Sequence, residues 1–291
     1  MCSGAKAVLS DLLVEPPASR AMHAVVTARV IAPSDVLHDV HAPAQGYARA
    51  AVFDADGTLW AGDIGDAAFV RSAKDGMLSD AMLAGPLSSW AKQAGLTLPS
   101  DKVAAIARIV DAHNSGELLA LGRARGLDDD GYRRDLYEMQ AWIYADQRRD
   151  DVVAYGAAIA ADEIKAGIFG TMRALLDELE RNGVAVYLAS ASHAALVEAG
   201  AVHLGVAAAR VSGMEPEPGL HRAMRVRTYG DDKRDTAVRV LGARPLMAFG
   251  DSVLFTDRAL LESACLPYAV ATRGAHREAA LAHARMVLVD P

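Results

Sequence analysis

Hydrophobic positions follow two patterns along this chain, and the change between them divides it. After about residue 168, short apolar runs alternate with segments whose apolar residues recur at helical spacing. Strands alternating with helices predict an α/β fold built on a doubly wound, mainly parallel sheet. The predicted strands are 49–54, 184–189, 211–214, 246–249, 267–271 and 286–289, and the predicted helices are 171–181, one beginning at 193, 232–241, 257–264 and 274–283.

A purely helical pattern fills the stretch from 61 to 165. Its apolar residues, such as Ile106, Ile109 and Val110, recur at helical spacing, and no part of it alternates like a strand. The pattern predicts an all-helical module over residues 61–165, inserted after the first strand. The α/β core would then consist of residues 49–60 and 166–291.

Residues 1–48 are predicted to form an N-terminal extension. Four prolines interrupt this segment, and a short helix is expected between residues 19 and 30. It contains no group of residues that suggests chemistry.

Charge and composition exclude some functions. The formal net charge is −7 and no long basic block occurs, which argues against a nucleic-acid surface. No apolar segment approaches the roughly 20 residues that a membrane span needs. The two cysteines, Cys2 and Cys265, cannot form a disulfide framework and are typical of a reducing cytosol. A cytoplasmic location is therefore predicted, while the oligomeric state leaves no signal in the sequence.

Two aspartates stand at the carboxyl end of the first predicted strand, in the run Asp54-Ala55-Asp56-Gly57-Thr58. The carboxyl ends of strands are where open α/β sheets bind ligands. Asp54 is expected to act as a nucleophile, and Asp56 as an acid and base whose pKa is raised by burial and by its neighbour's charge. Gly57 would let the backbone approach a phosphate, and Thr58 would tie the turn.

Three later elements also end or begin with a suitable polar residue. Ser190 ends the strand 184–189 and would donate a hydrogen bond to a phosphoryl oxygen. Lys233 opens a helix and would supply positive charge to the same oxygens. Asp251 follows the strand 246–249, and its carboxylate is a hard oxygen ligand of the kind that Mg²⁺ prefers.

The order of these residues resembles the four motifs of the haloacid dehalogenase superfamily, and the segments 186–192 and 210–214 are similar to its phosphoserine phosphatase-like branch. That branch carries a helical cap between its first and second motifs. The resemblance implies a Mg²⁺-dependent phosphatase that hydrolyses a small phosphorylated metabolite through an aspartyl-phosphate. It implies catalysis by Asp54 and Asp56, phosphate binding by Gly57, Thr58, Ser190 and Lys233, and metal binding by Asp54, Asp56 and Asp251.

The chain departs from that pattern in two places. The fourth motif usually has a second acid four or five residues after the first, but here Phe255 and Thr256 occupy those positions. Asp257 is the next acid. It could reach the metal through a longer turn, or Asp251 could serve nearly alone, which would weaken the affinity for the metal. The lysine of the third motif often follows glycine, whereas Asp232 precedes Lys233 here.

The substrate is less well determined than the reaction. An acid at position 56 favours phosphomonoester hydrolysis over dehalogenation, because a leaving alkoxide needs a proton. Asp63 could bind a substrate ammonium, as in phosphoserine, or could cap the next helix. Trp60 and other aromatic residues of the cap could hold phosphocholine by cation–π contact or could simply pack. A phosphotransferase or phosphomutase, and a weakly catalytic binding module, are the alternative functions.

Overall fold

The computed structural model describes residues 30–32, 34–36 and 45–291 of the chain. Its strands are β1 Val30–Ile31, β2 Tyr47–Phe53, β3 Ala185–His193, β4 Val211–Pro216, β5 Met224–Val226, β6 Arg244–Gly250, β7 Leu266–Val270 and β8 Val287–Val289. Its α-helices are α1 Ile64–Arg71, α2 Asp80–Met82, α3 Ser88–Gln93, α4 Lys102–Asn114, α5 Glu117–Ala124, α6 Asp129–Trp142, α7 Arg149–Ile159, α8 Gly170–Arg181, α9 Ala194–Ala201, α10 Asp231–Leu241, α11 Arg258–Ser263 and α12 Gly274–Ala282.

The described strands form one sheet in the order β1-β8-β7-β6-β2-β3-β4-β5. Every neighbouring pair is parallel except β4 and β5, which pair in antiparallel fashion. The predicted fold class, an α/β fold with a mainly parallel sheet, is therefore confirmed. Strand β2 lies between β3 on one side and β6 on the other. The chain therefore builds the sheet outward from β2 first in one direction, through β3, β4 and β5, and then in the other, through β6, β7 and β8. Such a point in an open sheet creates a crevice at the carboxyl ends of the strands.

Aromatic rings hold three of these strands in register. Phe53 of β2 stacks on Phe249 of β6 at 4.1 Å between ring centroids, and Phe249 stacks on Tyr268 of β7 at 4.7 Å. All three side chains are buried. Each aromatic pair contributes about 0.5–1.5 kcal/mol beyond the burial of its area. The stack lies directly below the strand ends that carry the polar turns, and it fixes their spacing.

Helices occupy the chain between Ile64 and Ile164, and none of the described residues in that interval forms a strand. The chain leaves and re-enters the core through two adjacent segments. Ala61 N–H donates to Gly167 O at 2.8 Å, and Phe169 N–H donates to Leu59 O at 3.0 Å. The assignment of 61–165 as a separate cap domain stays a prediction.

Helix α7 packs closely on α9, which follows the core strand β3. A Cβ built on Gly156 of α7 would lie 3.0 Å from the Leu196 Cα and 3.1 Å from the Ala199 Cβ. Since glycine allows the two backbones to approach this closely, even alanine at position 156 would force them apart. Among the described residues, no helix combines the length and apolar character that a membrane span requires.

The edges of the sheet differ from the sequence-based expectation. Residues 30 and 31, predicted to lie in an extension outside the core, form the edge strand β1 and pair with β8. The rest of the helix predicted over 19–30, and most of 1–48, lies outside the described residues. Strand β5, which is not among the predicted strands, pairs with β4 in antiparallel fashion across the turn residues 217–223.

Candidate active site

Asp54 lies at the carboxyl end of the central strand β2. Its own N–H donates to Phe249 O at 2.8 Å, which fixes the start of the turn against β6. Its Oδ1 accepts a hydrogen bond from Lys233 Nζ at 2.5 Å, and its Oδ2 accepts one from Thr58 Oγ1 at 3.3 Å. Burial and the nearby Asp257 raise the pKa of Asp54 well above its usual value, although Lys233 opposes the shift.

Lys233 is fully buried and joins two carboxylates. Its Nζ also donates to Asp257 Oδ1 at 2.5 Å. Burial by itself would lower the pKa of Lys233, but Asp257 and Asp54 outweigh that effect and raise it. The ammonium group is therefore charged at any neutral pH, and its contacts are with the acids of the site.

The longer turn after β6 brings Asp257 back beside Asp54 and Asp251. Asp257 Oδ2 accepts a hydrogen bond from Ser252 N–H at 2.9 Å. Carboxylate oxygens of Asp54, Asp251 and Asp257 all lie within 4.8 Å of one another, the spacing of groups that can share one metal ion. A Cβ on Gly250 would lie 2.6 Å from Asp257 Oδ2, so this return needs glycine at that position.

Gly57 has the same role on the opposite side of the acid group. Its φ is +76°, and a Cβ there would lie 2.6 Å from Asp251 Oδ2. Any side chain at position 57 would therefore strain the turn and push Asp251 away. Burial and the charge of Asp257 raise the pKa of Asp251 to about 7.

Asp56 is held by four hydrogen-bond donors. Its Oδ1 accepts from the Trp60 indole N–H and from the Ile64 backbone N–H, each at 2.8 Å. Its Oδ2 accepts from Ser190 Oγ at 3.1 Å and from Ser192 Oγ at 2.8 Å. Burial raises the pKa of Asp56 against the opposing effect of these hydrogen bonds. The carboxylate does not belong to the group of acids that can share an ion.

Only one of the two carboxyl oxygens of Asp56 is in a position to carry a proton. Indole and backbone N–H groups only donate, whereas serine hydroxyls can both donate and accept. A proton on Oδ1 would face two donors with nothing to accept it. The acidic proton of Asp56 therefore belongs on Oδ2, beside Ser190 and Ser192.

A cavity of about 460 Å³ opens above these residues. Asp54, Asp56, Gly57 and Asp251 line one part of it. The other lining residues come from the cap connections, from the turn after β6 and from the loop after β7: Ala61, Gly62, Tyr137, Phe169, Ala191, Ser252, Thr256, Ala271, Thr272, Arg273 and His276.

Several residues predicted for the site are buried beneath this cavity and do not line it. Ser190 and Thr58 are buried, and their hydroxyls contact Asp56 and Asp54. Of the two roles considered for Trp60, ligand contact or packing, the structure shows packing: the side chain is fully buried, its ring packs near Gly200 and its indole N–H donates to Asp56. Asp63 caps α1 by accepting from Asp66 N–H at 2.8 Å, the alternative weighed for it from the sequence.

The predicted aromatic wall is reduced to one tyrosine of the cap. Tyr137 lines the cavity, whereas Trp90 and Trp142 are buried in the helical part of the chain. Tyr144 lines a different and smaller cavity of about 110 Å³ beside His193. Of the aromatic residues considered for cation–π contact, Tyr137 lines this cavity, together with Phe169 of the segment that follows the helices.

Several side chains that hydrogen-bond to the candidate site residues from the core side were not predicted from the sequence. Ser192 contacts Asp56 directly, although its position had suggested only a helix cap. Thr228 Oγ1 donates to Ser190 O and thereby fixes the strand end that carries Ser190. The loop after β7 was also overlooked. The strand-end argument that found Asp54 and Asp251 applies equally to residues 271–276, and it would have identified them.

His193 gives the fold a defined response to pH. Its Nδ1 accepts from Ala195 N–H at 3.2 Å, and burial, followed by the charge of Arg149, lowers its pKa to about 4. Between pH 6.5 and 4 the unfolded chain binds a proton there and the folded chain does not, so stability falls as the pH falls. The loss reaches about 3 kcal/mol, from a shift of about 2.5 pH units at 1.36 kcal/mol each. His193→Asn, which retains a capping side chain, should flatten this slope in urea unfolding experiments.

His203→Asn is the matched control for that measurement. It removes a half-exposed histidine just after the same helix and should keep the wild-type slope. Equal slopes for His193→Asn and the wild type would show that His193 does not cause the pH dependence.

Comparison with known protein families identifies the class to which the chain belongs. Residues 48–254 match the family of haloacid dehalogenase-like hydrolases, and the chain belongs to that family. No curated protein matches the chain.

Two solved structures share this fold at low sequence identity, and a third resembles it less closely. A protein of unknown function from Bordetella pertussis Tohama I is 19% identical with a TM-score of 0.59, covering 84% of this chain and 99% of that one. A conserved, functionally unknown protein from Anaerococcus prevotii is 15% identical with a TM-score of 0.55, covering 90% and 94%. A substrate-bound phosphoserine phosphatase is 14% identical with a TM-score of 0.44, covering 84% and 94%. The phosphoserine phosphatase-like branch and the cytoplasmic location stay predictions.

Proposed function

We propose that this hydrolase is a Mg²⁺-dependent phosphatase that hydrolyses a small-molecule phosphomonoester through a phosphorylated Asp54. The observation that carries the proposal is the different setting of two aspartates at one strand end. Asp54 lies with the acids and the lysine, while Asp56, two residues later, is held by four donors outside that group.

Asp54 is suited to be the nucleophile. It lines the cavity, and its two oxygens are oriented by Lys233 and Thr58. Attack of a carboxylate oxygen on phosphorus forms an acyl phosphate and releases the alcohol. Water then attacks the same phosphorus and frees Asp54, so that one difficult step becomes two easier ones.

Asp56 is suited to move the proton. In the first step its Oδ2 proton passes to the leaving oxygen, and in the second step the resulting carboxylate takes a proton from water. The hydroxyls of Ser190 and Ser192 can reorient by rotation to serve either protonation state. Trp60 and the Ile64 N–H meanwhile keep the carboxyl group in one orientation.

The acid group fits a divalent cation. When Asp54, Asp251 and Asp257 are ionised, as metal ligands must be, they carry three negative charges against the one positive charge of Lys233, which leaves two negative charges to be balanced. Carboxylates are the hard oxygen ligands that Mg²⁺ prefers. When bound, Mg²⁺ would offset the charge of a phosphate brought next to these carboxylates. Asp56 was predicted as a fourth ligand from the sequence, but its carboxylate oxygens are already used by four donors.

Phosphate release from a panel of phosphomonoesters, with and without Mg²⁺, tests the proposal. Phosphoserine, phosphocholine, phosphoethanolamine, sugar phosphates and nucleoside monophosphates cover the relevant leaving groups. We expect release that depends on Mg²⁺. Absence of release from every ester in the presence of Mg²⁺ would contradict a phosphatase and favour a phosphotransferase or a binding module.

Asp251→Asn tests the metal site separately. The variant removes one negative charge from the acid group, so it should bind Mg²⁺ at least about tenfold more weakly, equivalent to about 1.4 kcal/mol. Calorimetric titration with Mg²⁺ measures this without any need for turnover. Asp231→Asn, at an exposed position on α10, is the matched control and should bind Mg²⁺ as the wild type does. Equal Mg²⁺ affinities in both variants would exclude Asp251 as a ligand.

A further inference from the structure

The loop after β7 places a hydroxyl with no partner against the cavity. Thr272 is 4% exposed, and its Oγ1 is buried without a hydrogen-bond partner. It nevertheless lines the same cavity as Asp54 and Asp56. Leaving a buried hydroxyl unpaired costs about 1–3 kcal/mol. A ligand bound in the cavity would remove this cost if it accepted a hydrogen bond from the Thr272 hydroxyl.

The backbone around Thr272 is arranged to keep it there. Ala271, directly before it, has a φ of +49°, a region that residues other than glycine seldom adopt. Its N–H donates to Val289 O at 3.0 Å, which ties this turn to the neighbouring strand β8. The unusual turn is therefore held in place by the sheet.

Helix α12 begins at the same place with its N-terminus unsatisfied. The helix starts at Gly274, and no side chain caps it. The first backbone N–H groups of a helix have no partner within it, and they carry partial positive charge. Carboxylates and phosphates bind at such positions.

Two side chains next to this N-terminus can also donate hydrogen bonds. Arg273 lines the cavity, and no described carboxylate lies within ion-pairing distance of it. His276 also lines the cavity, and its Nδ1 faces Leu254 N–H at 3.4 Å. With Nδ1 as an acceptor, the neutral ring carries its proton on Nε2 and is a donor there.

We propose that Thr272, Arg273, His276 and the N-terminus of α12 form a subsite for a second oxyanion, a carboxylate or a phosphate, on the leaving group of the substrate. The inference rests on the proposed phosphatase function and narrows its substrate class to phosphorylated acids or bisphosphates. Strand β7 is two strands away from β2 in the sheet, a lateral spacing of roughly 10 Å. One small substrate can therefore span from Asp54 to this subsite.

Matched pairs of esters test the proposal. We compare 3-phosphoglycerate with glycerol 1-phosphate, and fructose 1,6-bisphosphate with fructose 1-phosphate, by kcat/KM in the presence of Mg²⁺. The member with the second oxyanion should be preferred about tenfold or more in at least one pair, as expected for charge-assisted hydrogen bonds. The pair that shows the preference distinguishes a carboxylate from a phosphate. No preference in either pair overturns the proposal.

Arg273→Gln should reduce that preference about tenfold by raising KM for the doubly anionic ester. Arg277→Gln is the control, because Arg277 lies on the same helix and pairs with Asp290 at 3.4 Å outside the cavity. It removes the same charge and should keep the preference. An equal loss of this preference in both variants would show that positive charge on α12, and not a contact with Arg273, causes the preference. The subsite would then be rejected.

Thr272→Val separates a binding role from a structural one. The change removes an unpartnered hydroxyl and keeps the shape of the side chain, so the melting temperature should stay the same or rise while the preference falls. A lower melting temperature with an unchanged preference would assign Thr272 to folding and count against the subsite.

A binding measurement tests the subsite independently of whether the protein is a phosphatase. Protein carrying Asp54→Asn is titrated calorimetrically with 3-phosphoglycerate, fructose 1,6-bisphosphate and their singly charged partners, with and without Arg273→Gln. Stronger binding of a doubly anionic ester that requires Arg273 supports the subsite even if no ester is hydrolysed. Equal binding within both pairs rejects the subsite even if Mg²⁺-dependent phosphatase activity is found.

Discussion

Asp54→Asn should abolish phosphate release, with kcat falling by roughly 10⁴-fold or more, the size of effect seen when a covalent nucleophile is removed. The reason is chemical, because an amide oxygen cannot form the acyl phosphate. The fold should tolerate the change, since burial and neighbouring carboxylates already disfavour the charged form of Asp54. Steady-state kinetics and a thermal melt on the same sample measure both expectations.

Acid quenching with ³²P-labelled substrate adds direct information on the intermediate. Label should remain on the wild-type protein and be absent from Asp54→Asn. Asp101→Asn, at an exposed helix cap that asparagine can also fill, is the matched control and should keep full activity. Substantial activity in Asp54→Asn, or label retained on it, would assign the nucleophile to another residue.

Lys233→Met should destabilise the fold by about 3–5 kcal/mol, the usual cost of removing one partner from a buried ion pair. Lys233 is fully buried between Asp54 and Asp257, and methionine fills a similar volume without the charge. Two buried carboxylates would then face each other without the ammonium. Urea unfolding at pH 7 gives the change in the free energy of unfolding directly.

The double variant Lys233→Met with Asp257→Asn should recover part of that loss. It removes one of the two carboxylates left unpaired, so its stability should exceed that of Lys233→Met alone. Lys74→Met, at an exposed position after α1, should change stability by less than about 0.5 kcal/mol. Asp257→Asn alone is measured as well. If the double variant is less stable than Lys233→Met by as much as Asp257→Asn is less stable than the wild type, the two residues act independently and the pairing argument fails.

The core of the fold could be read from the sequence because its signals are local. Strands β2, β3, β6, β7 and β8 each coincide with an apolar run bounded by turn residues, as in residues 184–189 before Ser190. The strand β1 has two residues, too few to show any periodicity, and it exists only because β8 offers an edge to pair with. Its detection needs tertiary structure.

The site was predictable to the extent that strand ends position it. Asp54 and Asp251 follow neighbouring strands, and Asp257 joins them through a turn whose path the sequence does not specify. The orientation of Trp60 could not be inferred, since its position beside the acid motif is compatible with facing either the cavity or the core. Packing near Gly200 decides it, and that contact joins residues far apart in the chain.

The close contact of Gly156 with Leu196 and Ala199 has a consequence for protein engineering. The adjacent crossing segments at Ala61 and Gly167 suggest a simple exchange of everything between them with the equivalent part of a relative. Such a chimera would carry a foreign α7 against the native α9, where even one extra methyl group at position 156 requires the two helices to shift by a few tenths of an ångström. An exchange that keeps residues 149–164 of this chain avoids the mismatch, because it replaces only the helices that precede α7.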